Sequence, residues 1–214
     1  MSQFISIIIM GRNTQHVLKE VLSMKKILFL AAILSYCAVS AGADALSPDL
    51  QAALITKILM YENHVTKNAK NNTLVIGVLS GEDEKSVAVA KGISAALLKL
   101  KGKGAKINSF AIDVAQAKMA GKDAIVGELK SKNVNALYIA AARPADIAVA
   151  TSVSQEMKIV SIIGDDAEKN VAKGVAVGLA VESNKPVILV NISAAVKEGC
   201  DFAAQFLQLV KIVK

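Results

Sequence analysis

Leu74-Val75-Ile76-Gly77-Val78-Leu79, closed by Ser80-Gly81, is a short apolar run rich in β-branched side chains and ended by a turn pair. It has the length of a strand and no polar alternation, so both of its faces are expected to be covered. The period then changes. Val89, Ile93, Leu97 and Leu100 recur every three or four residues across 86–101, the spacing of one helix face. A buried strand leading into an amphipathic helix is the first half of a βαβ unit, and the rest of the chain repeats the theme.

Outward from that stretch, 105–113 reads as a second strand and 116–132 as a helix ended by Ser131-Lys132-Asn133. A third strand is expected over 136–141, then Arg143-Pro144 and a helix to about Met157. A fourth strand over 159–163 is closed by Gly164-Asp165-Asp166. Upstream, Ser47-Pro48 supplies a capping residue and a proline at the first helical position. Leu46, Leu50, Leu54 and Ile58 follow every fourth residue, with Leu59 and Val65 extending the stripe. Downstream the alternation breaks. Two strands, 175–181 and 187–192, are separated by Glu182-Ser183-Asn184-Lys185-Pro186, too short for a crossover and suited to an antiparallel hairpin. A final helix is expected to carry Phe202, Phe206, Leu209 and Val213 on one face. The fold class is therefore α/β: three layers, a mostly parallel sheet flanked by helices, with a C-terminal antiparallel hairpin and closing helix.

The first 43 residues are read separately. Lys25-Lys26 form a positive start, residues 27–39 an apolar core, and Val39-Ser40-Ala41 or Ala41-Gly42-Ala43 a small-residue exit. This is the layout of a secretory signal peptide over 24–43, short for a permanent membrane anchor, with an uncleaved anchor as the rival reading. The mature chain is expected to begin at Gly42 or Asp44 and to act in the periplasm as one α/β domain over 44–214. Residues 1–23 are either a mis-assigned start, with translation beginning at Met24, or an extended leading region. Lys19-Glu20-Val21 is encodable as a ribosome-binding sequence just before Met24, which favours the first.

Processing removes Arg12, Lys19, Lys25 and Lys26 with Glu20, lowering the net charge from +7 to +4. The remaining lysines are dispersed, Trp is absent, and basic residues do not alternate with aromatics, so no nucleic acid is expected as a partner. The densest basic stretch, Lys99-Leu100-Lys101-Gly102-Lys103-Gly104, suits a helix C-terminus. Loss of Cys37 leaves Cys200 alone, so no internal disulfide can form. Cys200 is expected to be buried beside the phenylalanines. A bridge to a second copy, making a homodimer, is the competing arrangement.

Catalytic patterns are missing from the sequence. His64 is the single histidine after residue 43, and neither a nucleophile elbow nor a phosphate loop is present. No metal, no cofactor and no enzymatic activity are expected. Glu82-Asp83-Glu84 suits a helix N-terminus, and Asp165-Asp166 suits a turn or contact with a hydroxylated ligand. Arg143 is the one arginine beyond residue 43. It follows a strand in a fold whose ligands bind at strand carboxyl ends, and its planar fork fits a carboxylate or phosphate. A salt bridge to a neighbouring acid is the plainer role. Ser80, Gly81, Arg143 and Asp165 are thus the candidate ligand- or partner-binding rim.

Gly178-Leu179-Ala180-Val181, Val187-Ile188-Leu189-Val190-Asn191-Ile192, Ala194-Ala195 and Phe206-Leu207-Gln208-Leu209-Val210 resemble the closing segment of YfiR-type periplasmic proteins (YfiR/HmsC-like, DUF4154). Ala53-Leu54-Ile55-Thr56-Lys57-Ile58-Leu59-Met60-Tyr61 and Val75-Ile76-Gly77-Val78 fit the same pattern. The resemblance covers nearly all of 46–214. It implies a periplasmic, non-catalytic regulator whose partner is the periplasmic domain of a membrane-bound sensor or diguanylate cyclase, acting on cyclic di-GMP and biofilm signalling. The alternative is a small-molecule binding protein of the transporter type. Family members carry paired cysteines and a Trp near the first helix; this chain has neither.

Overall fold

A computed structural model describes residues 46–141 and 143–214; the expected signal peptide, its processing and residues 1–23 lie outside them. The elements are α1 (Pro48–Met60), β1 (Thr73–Ser80), α2 (Glu84–Gly102), β2 (Lys106–Ile107), β3 (Phe110–Lys118), α3 (Lys122–Ser131), β4 (Val134–Ala140), α4 (Pro144–Met157) and β5 (Val160–Ile163). The chain closes with α5 (Ala167–Ala172), β6 (Val177–Glu182), β7 (Lys185–Asn191), α6 (Ile192–Lys197), α7 (Ala204–Leu207) and β8 (Lys211–Val213). The sheet runs β2-β3-β1-β4-β5-β6-β7-β8. The pairings β3–β1, β1–β4, β4–β5 and β5–β6 are parallel, and so is β7–β8; β2–β3 and β6–β7 are antiparallel.

The central strands β1, β4 and β5 alternate their side chains between two cores, which is why their sequences are mostly apolar. Leu74, Ile76 and Val78 of β1, Ala136 and Tyr138 of β4, and Val160 and Ile162 of β5 share one core with Ile55, Ile58 and Leu59 of α1 and Ile93 and Leu97 of α2. Leu79, Leu137, Ile139 and Ile163 face the other way, against Ile125 and Leu129 of α3 and Ile147 and Val153 of α4. The three-layer expectation is met. Helix starts follow local chemistry: the Ser47 hydroxyl accepts from Leu50 N at 3.3 Å, and the Asp83 carboxylate from Ser86 N at 2.9 Å.

Four expectations need correction. The stretch 105–113 is two strands, because Asn108 and Ser109 both take positive φ (54° and 91°) and turn β2 back on β3. The helix expected from 116 begins only at Lys122. Residues up to Lys118 extend β3, whose register on β1 runs from Ala111–Thr73 to Lys118–Ser80, so sheet pairing overrides local helix propensity. In the first helix the buried face is Gln51, Ala52, Ile55, Ile58 and Leu59; of the expected stripe Ile58, Leu59 and Val65 are buried and Leu46 and Leu54 pack against the core, whereas Leu50 is exposed.

The fourth correction is the closing helix, which shrinks to the single turn α7 (Ala204–Leu207). Val175 and Ala176 lie before β6, and Ile192 opens α6 instead of ending β7. Gly199, at φ 74°, ends α6, with Cys200 N donating to Ala195 O at 2.9 Å. Phe202 and Phe206 do pack as expected; Phe206 stacks on Tyr61 with ring centroids 5.4 Å apart. Leu209 is exposed, and Val213 lies in β8 beside Asn191. α5 also went unforeseen. The hairpin itself is confirmed, with a tight Ser183-Asn184 turn (φ 50° and 60°). Pro186 opposes Val181 next to the Glu182–Lys185 pair, so its missing N–H faces away from β6, and β8 begins pairing only at Leu189.

A buried carboxyl fixes the closing segment. Glu198 Oε1 accepts from the hydroxyls of Ser154 (2.7 Å) and Ser161 (2.6 Å), and Oε2 accepts from Ser161 N at 2.8 Å. The Ser161 hydroxyl oxygen accepts in turn from Ala176 N at 3.0 Å. α4, β5 and the approach to β6 are thereby tied to the residue that follows α6. Nearby, the buried Glu62 accepts from Asp201 N and His64 N, docking the same segment on the loop after α1.

Candidate functional site

From β1 the chain passes through α2 and the β2 hairpin to β3 on one side, then places β4 on the other side of β1. The carboxyl ends of β1 and β4 are therefore a topological switch point, where open α/β sheets leave a crevice. Ser80 ends β1 at this point and Gly81 follows it, Arg143 follows β4, and Asp165 follows β5, the next strand over. The structure brings the four expected residues to one rim.

Their roles there differ. Ser80 is buried, and its hydroxyl reaches only Ala117 O at 3.5 Å. Gly81 N donates to Ala140 O at 3.1 Å, joining the two strand ends. A Cβ at Gly81 would stand 2.9 Å from Asp83 Oδ2 and 3.0 Å from Ser86 Oγ, because Asp83 folds back to cap α2. Both residues shape the rim from below.

Arg143 and Asp165 supply its charge. Arg143 Nε and Nη2 donate to the two carboxylate oxygens of Asp146 at 2.8 and 3.0 Å, a bidentate pair across the first turn of α4. Glu82 Oε2 lies 3.7 Å from Nη2. Asp165 accepts from Lys85 Nζ through both oxygens, at 2.8 and 2.7 Å. The Asp146 bonds hold Arg143 even more firmly protonated, and the Asp165 bond pushes Lys85 upward. The Ser86 hydroxyl and N–H hold Asp83 below the usual carboxylate range. The arginine side chain is 53% exposed, so an incoming carboxylate or phosphate can reach it by displacing Glu82 while Asp146 keeps Nε and Nη2.

Beneath the rim, Tyr138 donates its hydroxyl to Gln51 Oε1 at 2.6 Å, and Gln51 Nε2 donates to Leu46 O at 2.7 Å. Burial, reinforced by the Asp165 charge, pushes the Tyr138 phenol up and keeps it a donor. A Cβ at Gly164 would collide with both the glutamine oxygen and the tyrosine hydroxyl, so any larger residue where the chain leaves β5 must push this pair aside.

Lys85, Asp146, Gln51, Tyr138 and Gly164 were missed as site residues. Asp146 had a local signal, since three residues after Arg143 at a helix start is contact distance. Gln51 and Tyr138 lie 87 positions apart, and nothing local marks them as partners. Among the described residues no group of three or more His, Cys, Asp or Glu is arranged to hold a metal, and no helix is long and apolar enough to cross a membrane.

No curated protein matches the sequence. Among solved structures, a conserved domain protein from Vibrio cholerae is similar, with 12% identity and a TM-score of 0.54 over 79% of this chain and 61% of that one. A substrate-binding protein with adhesive properties from Clostridium difficile, in its ligand-free, open form, is similar at 16% identity and a TM-score of 0.50. That match covers 79% of this chain and 60% of the other. The chain thus spans about three-fifths of the length of these two proteins, and the likeness is one of fold. The YfiR/HmsC-like family model matches residues 48–211, from the first residue of α1 into β8, and the chain belongs to that family.

Proposed function

We propose that this protein is a periplasmic, non-catalytic regulator that restrains a membrane-bound diguanylate cyclase by gripping its periplasmic domain, lowering cyclic di-GMP signalling. Membership of the YfiR/HmsC-like family over 48–211 is the observation that carries this reading. The switch-point rim supports it. Arg143, Glu82 and the Lys85–Asp165 pair present charges of alternating sign at the surface that can exchange partners with charges on another protein, while the buried Asp146 holds Arg143 in place.

The interaction is tested by titrating the mature chain into the purified periplasmic domain of such a cyclase from the same host. Saturable binding, weakened by Arg143→Ala and not fully restored by Arg143→Lys, is expected, because lysine lacks the two-pronged fork. A second reading, a small-molecule binding protein, draws on the position of Arg143 at the switch point. It predicts that a small carboxylate or phosphate binds the isolated chain, raises its unfolding temperature, and loses that effect in Arg143→Ala.

A further inference from the structure

The opposite end of the sheet has a groove of its own. It opens beside the amino ends of β4 and β5, with a volume of about 470 Å3, inside the range of about 300–1,000 Å3 typical of ligand pockets. Val134, Met157 and Ile159 make its apolar floor, and Lys67, Lys70 and Lys130 stand on its walls. None of these three lysines makes an ion pair among the described residues. No acid lines the groove, and two acids of the flanking helices are engaged elsewhere: Glu128 holds Lys132 at 2.6 Å, and Glu156 holds Lys122 at 2.7 Å, with Lys130 acting on Glu156 only from a distance.

A helix dipole accounts for one lysine at most. Lys130 lies in the last turn of α3, where a cation is favoured. Lys67 and Lys70 belong to no helix. They are carried by a loop of consecutive turns, in which Lys67 N donates to His64 O, Ala69 N to Thr66 O and Thr73 N to Lys70 O, all within 3.1 Å. The loop is thus shaped before any ligand arrives. Separate elements bring three cations around one apolar floor with no acid to neutralise them.

The geometry points to a binding site for an anionic amphiphile, a phosphate monoester with an acyl or alkyl body. The phosphate would sit among Lys67, Lys70 and Lys130, and the chain would lie on Val134, Met157 and Ile159. Lysine ammonium groups serve a phosphate as mobile point charges. A concave groove takes one free molecule, whereas a bilayer surface needs a flat or protruding face.

Calorimetric titration of the intact mature protein with dodecyl phosphate, below its micelle concentration, tests the site. One-to-one binding is expected. Three exposed charge contacts predict roughly tenfold weaker binding in the Lys67→Gln, Lys70→Gln, Lys130→Gln triple variant. Inorganic phosphate, lacking the chain, and dodecyl maltoside, lacking the charge, are each expected to bind at least roughly tenfold more weakly. Met157→Gln, a half-buried floor position, should weaken dodecyl phosphate while leaving inorganic phosphate unchanged. Should the triple variant fold poorly, Lys70→Gln alone on its exposed loop is used, with a smaller loss expected. The inference is overturned by unchanged affinity in folded lysine variants, by equal binding of dodecyl maltoside, or by an absence of dodecyl phosphate binding. Lysine-dependent co-sedimentation with phosphatidic acid vesicles, without binding of the free amphiphile, would overturn it in favour of a membrane surface.

Discussion

The two ends of the sheet handle charge in opposite ways. At the carboxyl ends of β1, β4 and β5, the charges of Arg143 and Lys85 are each matched by acids and both cations are reached by water, although the Asp146 carboxylate that holds Arg143 is itself buried. At the amino ends, opposite charges are kept apart. Lysines line a groove without acids, and Glu198 is buried among hydroxyls without a cation. Exposed pairs are each worth about 0.2–1 kcal/mol and tolerate loss. A buried carboxyl whose hydrogen bonds are all internal does not. The rim is therefore free to change for recognition, while the amino end carries much of what holds the closing segment in place.

The largest expected effect sharpens that contrast. Glu198→Ala would strip three hydrogen bonds from buried partners and leave a hole between α4, β5 and α6, costing about 3–5 kcal/mol. Denaturant unfolding measures the loss. A cost below about 1 kcal/mol would remove the distinction between the two ends.

The pH dependence is nearly as large. Burial pushes the Glu198 carboxyl up from 4.5 to about 7, against the opposing pull of the Ser154 and Ser161 hydrogen bonds. The folded protein therefore holds this proton more tightly than the unfolded chain, so stability attributable to Glu198 falls as pH rises. It is fully present below about 4.5, declines through the interval up to about 7, and is level above that. The drop is on the order of 3 kcal/mol. Glu198→Gln, a stand-in for the protonated acid, should flatten this interval. An unchanged wild-type slope in the glutamine variant would assign the pH dependence to other groups.

Gly164→Ala comes next. It reaches the rim from beneath by driving a methyl group into the Gln51–Tyr138 hydrogen bond, at an expected cost of about 1–3 kcal/mol. Thermal unfolding reports it, and a neutral result would show that the floor of the rim gives way freely. Arg143→Ala should destabilise the fold less than Gly164→Ala, since the arginine itself is half exposed, but measurably, since it leaves the Asp146 carboxylate, only 8% exposed, without its cation. A larger loss would make the arginine a structural brace and end its claim to recognition.

The smallest effect concerns Cys200. Burial, with the charges of Glu198 and Glu62, pushes its thiol up and leaves it a poor nucleophile. Cys200→Ala should leave function insensitive to oxidant and reductant, and thiol labelling of the folded protein should be slow. A reducible dimer on non-reducing electrophoresis, lost in the variant, would show a bridge between two copies instead.

Much of this fold can be read from the sequence where a residue answers to its neighbours. β1, β4 and β5 are mostly apolar because both faces are covered, and Ser47-Pro48 marks the start of α1 on its own chemistry. The reading fails where distant pairing decides. Residues Gln116-Ala117-Lys118 suit a helix but complete β3 because β1 offers them a partner strand. The closing segment reads as one amphipathic helix, yet Gly199 ends α6 and β7 recruits residues 211–213 as β8. The site divides in the same way. The strand-end rule places Ser80, Gly81, Arg143 and Asp165 together from sequence alone, and the i,i+3 spacing makes Asp146 recoverable. The Gln51–Tyr138 support, the Glu198 network and the lysine groove each join residues far apart in the chain, and no local pattern announces them.

The account stands most directly on what the protein does to its proposed target in the cell. Cyclic di-GMP should be measured in the host with and without this gene, and again after restoring the wild-type chain or the Arg143→Ala variant. The account predicts a rise on deletion, a return to the original level with the wild-type chain, and an incomplete return with Arg143→Ala. An unchanged level on deletion, with the protein otherwise expressed and exported, would contradict it.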